Sequence, residues 1–517
     1  MRRYLCILTI GIIIIILGLF KFGIAFFEYN GQSEGSFIVT IEKKLKETKY
    51  MKSYIAKIEN KKMILYVKKA NSDFDIGDKL EIHGNYSKGE TQRNFGGFNY
   101  DLYLKTKKIY GMIKADSIKT IGKEKGIVIA WKKFIEKSQQ FIIDILNKNL
   151  SKENASLLEG ILIGYITDIT DKTMNEFRDA SLTHVLAISG ANFVFIIEML
   201  NMVNKKLKYR NLGHVITISI IIFFMELTGN TASVIRAGTM SIILIMSKLL
   251  HRKYDFWTSL AFSTLIQLLY NPYSIFDLGL ILSYGGVIGL VVLNNFFKEK
   301  LKFNLISETI SANIFIAPIL AYNFNTLSLT FLISNLFAVI LIEPITIIGI
   351  ISIIFRFKFL FVILNFLLYV FRKIVEICAQ IPFSKIYIIT PSIISIVGYY
   401  VLWVIILKKK KINKANKKIV ILIIIIILSN LNFEVIDSYL NKKLLINFVD
   451  VGQGDCMLIR TGTKVILIDG GGSSDNNYDI GKSIDIPYLL DRKIKTLDYI
   501  MISHFDTDHV RTDCLLL

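Results

Sequence analysis

The sequence predicts a polytopic α-helical membrane protein with a small external β domain near its N-terminus and an α/β domain at its C-terminus. Three observations predict it. Of 517 residues, 52% are apolar and the mean hydropathy is +0.48, far above a soluble average. The apolar residues are gathered into blocks, among them 5–27, 215–227, 359–370 and 419–428. Several of these approach the roughly 20 residues that cross about 30 Å of hydrocarbon. A soluble core hides one such block, not ten. Finally, the stretch 30–125 and the chain from 442 onward leave this pattern for short alternating strands and α/β periodicity.

Taken in order, residues 1–28 are an N-terminal transmembrane anchor. Arg2 and Arg3 before an apolar run also fit a signal peptide, but the run from Tyr4 to Phe27 is long for a signal core and no small-x-small site follows. Residues 29–125 form an external β domain, with strands at 52–59, 62–69, 79–83 and 109–114 separated by Asn, Asp and Gly turns. Their number and spacing fit an OB-type barrel, and a meander fits too. Between 30 and 120 there are 18 Lys/Arg and 11 Asp/Glu, 18 − 11 = +7. Tyr54, Tyr66, Tyr86, Phe95, Phe98, Tyr100 and Tyr103 are interleaved with them, as in single-strand binders; an aromatic core under a Lys-rich face reads the same way.

Residues 126–154 are an amphipathic, Lys-bearing interfacial helix. Residues 155–432 are a multi-span domain. Its expected spans are 155–167 (short, re-entrant), 182–202, 214–229, 232–250, 256–270, 275–296, 308–323, 327–355 (one pass or two), 359–380, 391–407 and 419–432. Residues 442–517 are the C-terminal α/β domain. Lys/Arg bias places Arg2 and Arg3, the loop with Lys205, Lys206, Lys208 and Arg210, and the loop with Lys408, Lys411, Lys414, Lys417 and Lys418 in the cytoplasm. Both soluble domains then face outside. The net charge, 62 − 42 = +20, fits such loops and equally fits a polyanionic substrate. Four cysteines without metal-ligand spacing argue against a disulfide framework.

In the membrane part the informative segment is 177–192, FRDASLTHVLAISGAN. Arg178 and His184 are ionisable at the start of an apolar stretch, where each costs several kcal/mol unless paired or wetted. Ser189, Gly190 and Asn192 then interrupt the helix, which is tolerated where backbone is buried in protein or lines a watery cavity. Close packing through small residues explains the segment as well. Glu198, Glu226, Arg236, Gln267, Asn313, Asn335 and Glu343 add polar groups to apolar blocks, and Pro318 and Pro344 can break helices there. Seven such residues over several spans favour a polar conduit. The pathway residues are therefore Arg178, His184, Ser189, Gly190, Asn192, Glu226 and Arg236.

The C-terminal domain carries the chemical signal. A strand leads into the Gly-rich turn DVGQGD (450–455), two more strands into the turn DGGG (469–472), and a helix into an apolar strand at 497–503. That strand ends in His504, Asp506, Asp508 and His509. Four ligand-type residues within six positions after a strand suit Zn²⁺ or Mn²⁺, with a bound water of lowered pKa as nucleophile for phosphodiester attack.

These residues resemble the ComEC family of competence proteins over nearly the whole chain. NFGGFNY (94–100) is similar to the motif ending the family's external OB-like domain. LEGILIG (158–164) with FRDASLTHVLAISGAN is similar to its membrane competence domain. FVDVGQGD (448–455) is similar to the opening of its metallo-β-lactamase-like domain, and SHFDTDH (503–509) to its H-x-D-x-D-H metal motif. The resemblance implies import of single-stranded DNA through the inner membrane during natural transformation. It also implies an external hydrolase-like domain that processes the other strand. His504 and Asp506 would hold one metal, Asp508 and His509 a second, and Asp508 would be catalytic only in a complete domain. An external DNA receptor, a cytoplasmic ATPase or helicase (no Walker-type loop occurs here), membrane lipids and a homo-oligomer are the implied partners.

The chain departs from that pattern in two places. One span precedes the barrel, where many relatives have more. After His509 the family's Gly-Gly turn is replaced by VRTDCLLL (510–517), which reads as a truncated domain of no useful hydrolase activity that does not hold its metals stably. The competing reading is a membrane-anchored extracytoplasmic metallohydrolase whose spans serve mainly as anchor. A small-molecule transporter ranks last, because no internal repeat is visible.

Overall fold

The computed structural model describes residues 4–24, 26, 34–48, 50–69, 73–186, 190–205, 210–381, 384–408, 444–462, 464–472, 479–504, 506 and 509. The expected span at 419–432, the basic loop before it, Arg2, Arg3, Ser189, Asp508 and the tail 510–517 lie outside these residues. Two compact units emerge, one of residues 1–89, 101–284 and 330–384, the other of 90–100, 285–329 and 385–517.

The first unit opens with helix α1 (Tyr4–Lys21) and a five-stranded closed barrel. Its strands are β1 (Glu34–Glu47), β2 (Met51–Ile58), β3 (Lys61–Lys68), β4 (Asp78–Ser87) and β5 (Ile109–Lys123), with α2 (Tyr100–Thr106) between the last two. The order β1-β2-β3-β5-β4, with β3 and β5 parallel, is OB-like. Alternation fills the interior: Val39, Ile41, Ala56, Met63, Leu65, Leu80 and Ile82 are fully buried. Strand β1 was missed by inspection because its second half, EKKLKE, is almost wholly charged. It pairs with both β2 and β4 and closes the barrel. Tyr54 is a core residue here rather than a surface platform.

Helix α3 (Ile127–Asn149) follows, then α4 (Lys152–Ile163), α5 (Asp171–Asp179), α6 (Thr183–Leu186), α7 (Gly190–Lys205), α8 (Arg210–Leu227), α9 (Ala232–Leu249) and α10 (Phe256–Tyr270). The unit also holds α13 (Phe331–Phe355) and α14 (Lys358–Gln380), while α11 (Leu278–Leu301) and α12 (Asn304–Phe324) come between them in sequence. The burial pattern is inside out for a water-soluble protein. On α13, Ser334, Asn335, Thr346 and Ser352 are buried, whereas Ile333, Phe337, Val339, Ile340 and Ile354 are exposed. Buried hydroxyls bond one turn back, Ser334 Oγ to Thr330 O at 3.0 Å and Ser352 Oγ to Ile348 O at 2.7 Å. Apolar groups outward and polar groups inward, hydrogen-bonded apart from Thr346 Oγ1, is the arrangement lipid selects. Among the described residues α1, α9, α11, α12 and α13 are long and apolar enough to cross a membrane. The chain is a membrane protein.

Two expected spans come out differently. The segment 327–355 is one helix, α13, despite Pro344. The segment 155–167 is the twelve-residue α4, buried on every side from Asn154 to Ile163. It is apolar because it is the centre of the core, not because it faces lipid. Of the 182–202 span, α6 and α7 are described and 187–189 lie outside the described residues; Arg178 belongs to the short α5 before it.

In the second unit, α12 and α15 (Ile393–Leu407) pack through aromatic residues, with Phe315 and Tyr400 rings 5.1 Å apart. Pro318 has no N–H to give the carbonyl four residues earlier. Tyr399 fills that gap, its hydroxyl donating to Ile314 O at 2.8 Å. Short strands β6 (Thr326–Ser328) and β7 (Lys385–Tyr387) pair beside it. The C-terminal sheet has the order β11-β10-β9-β8, from β8 (Leu444–Phe448), β9 (Met457–Thr461), β10 (Lys464–Ile468) and β11 (Tyr499–Met501), with α16 (Ile486–Asp491) against it. In this sheet β10 and β11 are the parallel pair, with α16 between them in sequence. Val451, Cys456, Leu458, Leu467, Ile480 and Leu489 form the core.

Candidate functional site

Two polar centres answer the sequence reading, one in the membrane domain and one on the C-terminal sheet. In the first, Arg236 projects from α9 and is 9% exposed. Its Nε donates to Ser283 Oγ at 2.8 Å, and the guanidinium lies 5.9 Å from the Tyr284 ring centre. The Tyr284 hydroxyl in turn meets Ser263 Oγ and Gln267 Nε2, each at 2.8 Å. A Cβ on residue 190 would stand 2.6 Å from Arg236 Nη2, so Gly190 is what lets the guanidinium press on the start of α7. Among the described residues no carboxylate lies within ion-pairing distance of Arg236.

The other pathway residues are spread around this cluster. His184 lies on the short helix α6. Glu226 accepts from Asn230 Nδ2 at 2.9 Å at the end of α8. Arg178 is exposed on α5, Asn192 lies in α7, and Ser189 is outside the described residues. Glu198 and Glu343 are exposed, whereas Gln267 and Asn335 are buried and bonded. Ser263, Ser283 and Tyr284 were missed, because single hydroxyls in apolar helices are ordinary and only their convergence on an arginine marks them.

On the C-terminal sheet, β10 ends at Asp469, 4% exposed, and β11 leads to Ser503 and His504. Asp469 accepts from Ser503 N at 2.8 Å, Ser503 Oγ at 2.7 Å and His509 Nδ1 at 3.0 Å. Burial alone would raise its pKa, but the Ser503 and His509 donors outweigh it and hold the carboxyl below the usual range. Ser503 Oγ also bonds His504 Nδ1 at 2.8 Å, and the His504 and His509 rings are 3.8 Å apart. Both imidazoles thus have Nδ1 engaged by an oxygen partner, the way metal-binding histidines are oriented. Asp506 Oδ2 lies 3.5 Å from His504 Nε2. That donor chemistry fits a divalent ion, although among the described residues no three such groups are close enough to hold one, and Asp508 lies outside them. Asp469 was missed as a site residue; an Asp at a strand end before three glycines was the available signal.

The segment 90–100 belongs to this same unit and clamps the turn that begins at Asp450. Asn94 Nδ2 donates to Asp450 O at 2.7 Å while Asp450 N donates to Asn94 Oδ1 at 3.0 Å. Arg492 lies 4.4 Å from the Phe95 ring centre. Gly96, at φ +69°, faces α16 so closely that a Cβ would sit 2.7 Å from Pro487 O. Asn94→Ala removes both amide bonds, at about 1–3 kcal/mol. Tryptic cleavage after Arg93 is expected to accelerate about tenfold in Asn94→Ala and in Gly96→Ala. Unchanged cleavage would mean the clamp holds nothing.

A multi-span helical domain, an OB-like barrel and a sheet-edge His/Asp cluster define a polytopic membrane protein that carries a small β-barrel and an α/β domain. Residues 161–411 match the family described as Competence protein, and 449–512 match the Metallo-beta-lactamase superfamily. The chain is similar to ComE operon protein 3 of Bacillus subtilis, 22% identical over 486 residues, covering 88% of this chain and 60% of that relative. The resemblance to the ComEC family is borne out, and the chain spans 60% of the relative's length. No solved structure matches.

Proposed function

We propose that this chain imports single-stranded DNA across the cell membrane during natural transformation, its multi-pass domain serving as the conduit and both soluble domains facing outward. One observation carries this reading: Arg236, buried in a span, with hydroxyl and aromatic neighbours and no acidic partner among the described residues. An intramembrane cation of this kind marks an ion or substrate pathway, and its natural counter-charge is a passing phosphodiester. His184, Gly190 and Glu226 belong to the same route, and so do Arg178, Ser189 and Asn192. A cytoplasmic ATPase or helicase supplies the pull and an external receptor delivers the strand.

The second reading, a membrane-anchored extracytoplasmic metallohydrolase, is favoured by the orientation of His504 and His509. With Asp506 and Asp508 they would hold Zn²⁺ or Mn²⁺, which supplies a Lewis acid and a more acidic bound water. Import of labelled DNA separates the two. His184→Ala or Arg236→Ala abolishes it if the spans conduct, and leaves it near normal if they only anchor.

A further inference from the structure

We propose that Lys43, Lys62 and Lys108 form a phosphate-binding vestibule at the base of the barrel, through which a single nucleic-acid strand is handed to the membrane helices. This rests on the import reading and names an entry station that the pathway residues do not include.

The three lysines stand on neighbouring parts of the barrel, Lys43 in β1, Lys62 in β3 and Lys108 in the turn before β5, and the Lys62 charge is felt by both of the others. Lys62, the second residue of β3, pairs with Ile109, the residue after Lys108, in the parallel β3/β5 pair. Lys43 follows a register shift in β1 between Ile41 and Lys43. Its Nζ reaches to 3.9 Å of the Cβ position of Gly229, in the turn between α8 and α9. Lys108 Nζ stands 3.3 Å over the ring of Tyr270, the last residue of α10. The cluster therefore overhangs the ends of α8, α9 and α10 within one compact unit. Lys108 also holds a left-handed backbone at φ 59°, a conformation that costs a non-glycine residue roughly 1 kcal/mol or more.

The charge there is unbalanced. Glu42 is shared between Lys62 at 3.5 Å and Lys132 at 2.8 Å. Among the described residues Lys43 and Lys108 have no carboxylate partner. Burial, and then the neighbouring Lys62 ammonium, hold the pKa of each below the usual lysine range. Like charges crowded against a barrel wall are costly unless an anion joins them. A fixed carboxylate would neutralise the site permanently; a mobile phosphodiester does so only in passage. Lys43 is exposed on the barrel wall yet faces the α8–α9 turn, its Nζ 3.9 Å from the Cβ position of Gly229, so its site is a crevice between barrel and helices. A thread of phosphates enters a crevice, whereas the flat surface of a bilayer does not, and this favours a strand over lipid headgroups.

The test is fluorescence anisotropy of a labelled 20-nucleotide oligothymidylate with the full chain in neutral-lipid nanodiscs. Lys43→Gln/Lys62→Gln/Lys108→Gln is expected to bind about 10- to 100-fold more weakly and to lower the slope of log K against log salt by about 2, three contacts at about 0.7 each. The Lys→Arg triple variant, which keeps the charges, is expected to retain affinity and serves as the folding control. An unchanged affinity and slope in the Gln variant would overturn the vestibule while leaving import intact. A Gln variant that loses only its association with anionic-lipid vesicles would overturn it in favour of lipid. Wild-type protein that binds no oligonucleotide at all would overturn the import reading along with it.

Discussion

Arg236→Ala is expected to cut import of labelled DNA at least about 10- to 100-fold while the protein still inserts in the membrane. A charge-assisted hydrogen bond to phosphate is worth about 1.5–3 kcal/mol, and each 1.4 kcal/mol is a factor of ten. The side chain it removes is supported by Ser283 on one side and the Gly190 backbone on the other. Folding is expected to tolerate the loss, because Tyr284 keeps its own bonds to Ser263 and Gln267. Arg236→Lys is expected to be partly active, since a lysine brings the charge but not the planar fork. Import within twofold of wild type in Arg236→Ala, at equal protein level, would mean the arginine is structural.

Asp469→Ala is expected to loosen the C-terminal domain more than any other single change there. The carboxylate is buried and receives three donors, so its removal leaves the Ser503 amide and His509 Nδ1 facing an empty site. The cost is about 3–5 kcal/mol, that of removing one partner from a buried charged network. Cys456 is 4% exposed in the core beneath this turn and is a built-in reporter. Its labelling by a maleimide is expected to speed up about 100-fold in Asp469→Ala, local opening becoming cheaper by about 3 kcal/mol. Asp469→Asn keeps an acceptor for the Ser503 amide and is expected to fall between. Labelling unchanged in Asp469→Ala would show that the carboxylate does not hold the two strand ends together.

The strands β2 to β5 and the C-terminal strands were legible because period-two alternation and Gly, Asn and Asp turns declare them within a few residues. Strand β1 was not, because its partner strands are remote and a run of six mostly charged residues hides its pleat. Helix α4 misled in the opposite sense: an apolar stretch too short to span turned out to be the buried centre of the membrane domain, which hydropathy cannot tell from a lipid-facing one. At the candidate sites, ionisable residues in apolar surroundings were visible by type alone, hence Arg236 and His184. The supports of Arg236 were not, since Ser263, Ser283 and Tyr284 acquire meaning only through three-dimensional convergence. The segment 94–100 was recognised as a motif, but nothing local says that Asn94 bonds a residue 356 positions away.

The central claim, that DNA passes beside Arg236, is tested most directly by cross-linking during arrested import. A strand carrying thiol-reactive groups on its backbone is stalled in cells producing the chain with its four cysteines replaced. New cysteines are placed either at Ser283, which bonds Arg236, or at Ile333, 50% exposed on the outer face of α13. Cross-links at Ser283→Cys and none at Ile333→Cys are the predicted result. Absence of cross-links at Ser283→Cys while the strand is held in the membrane, or equal yields at both positions, would contradict it.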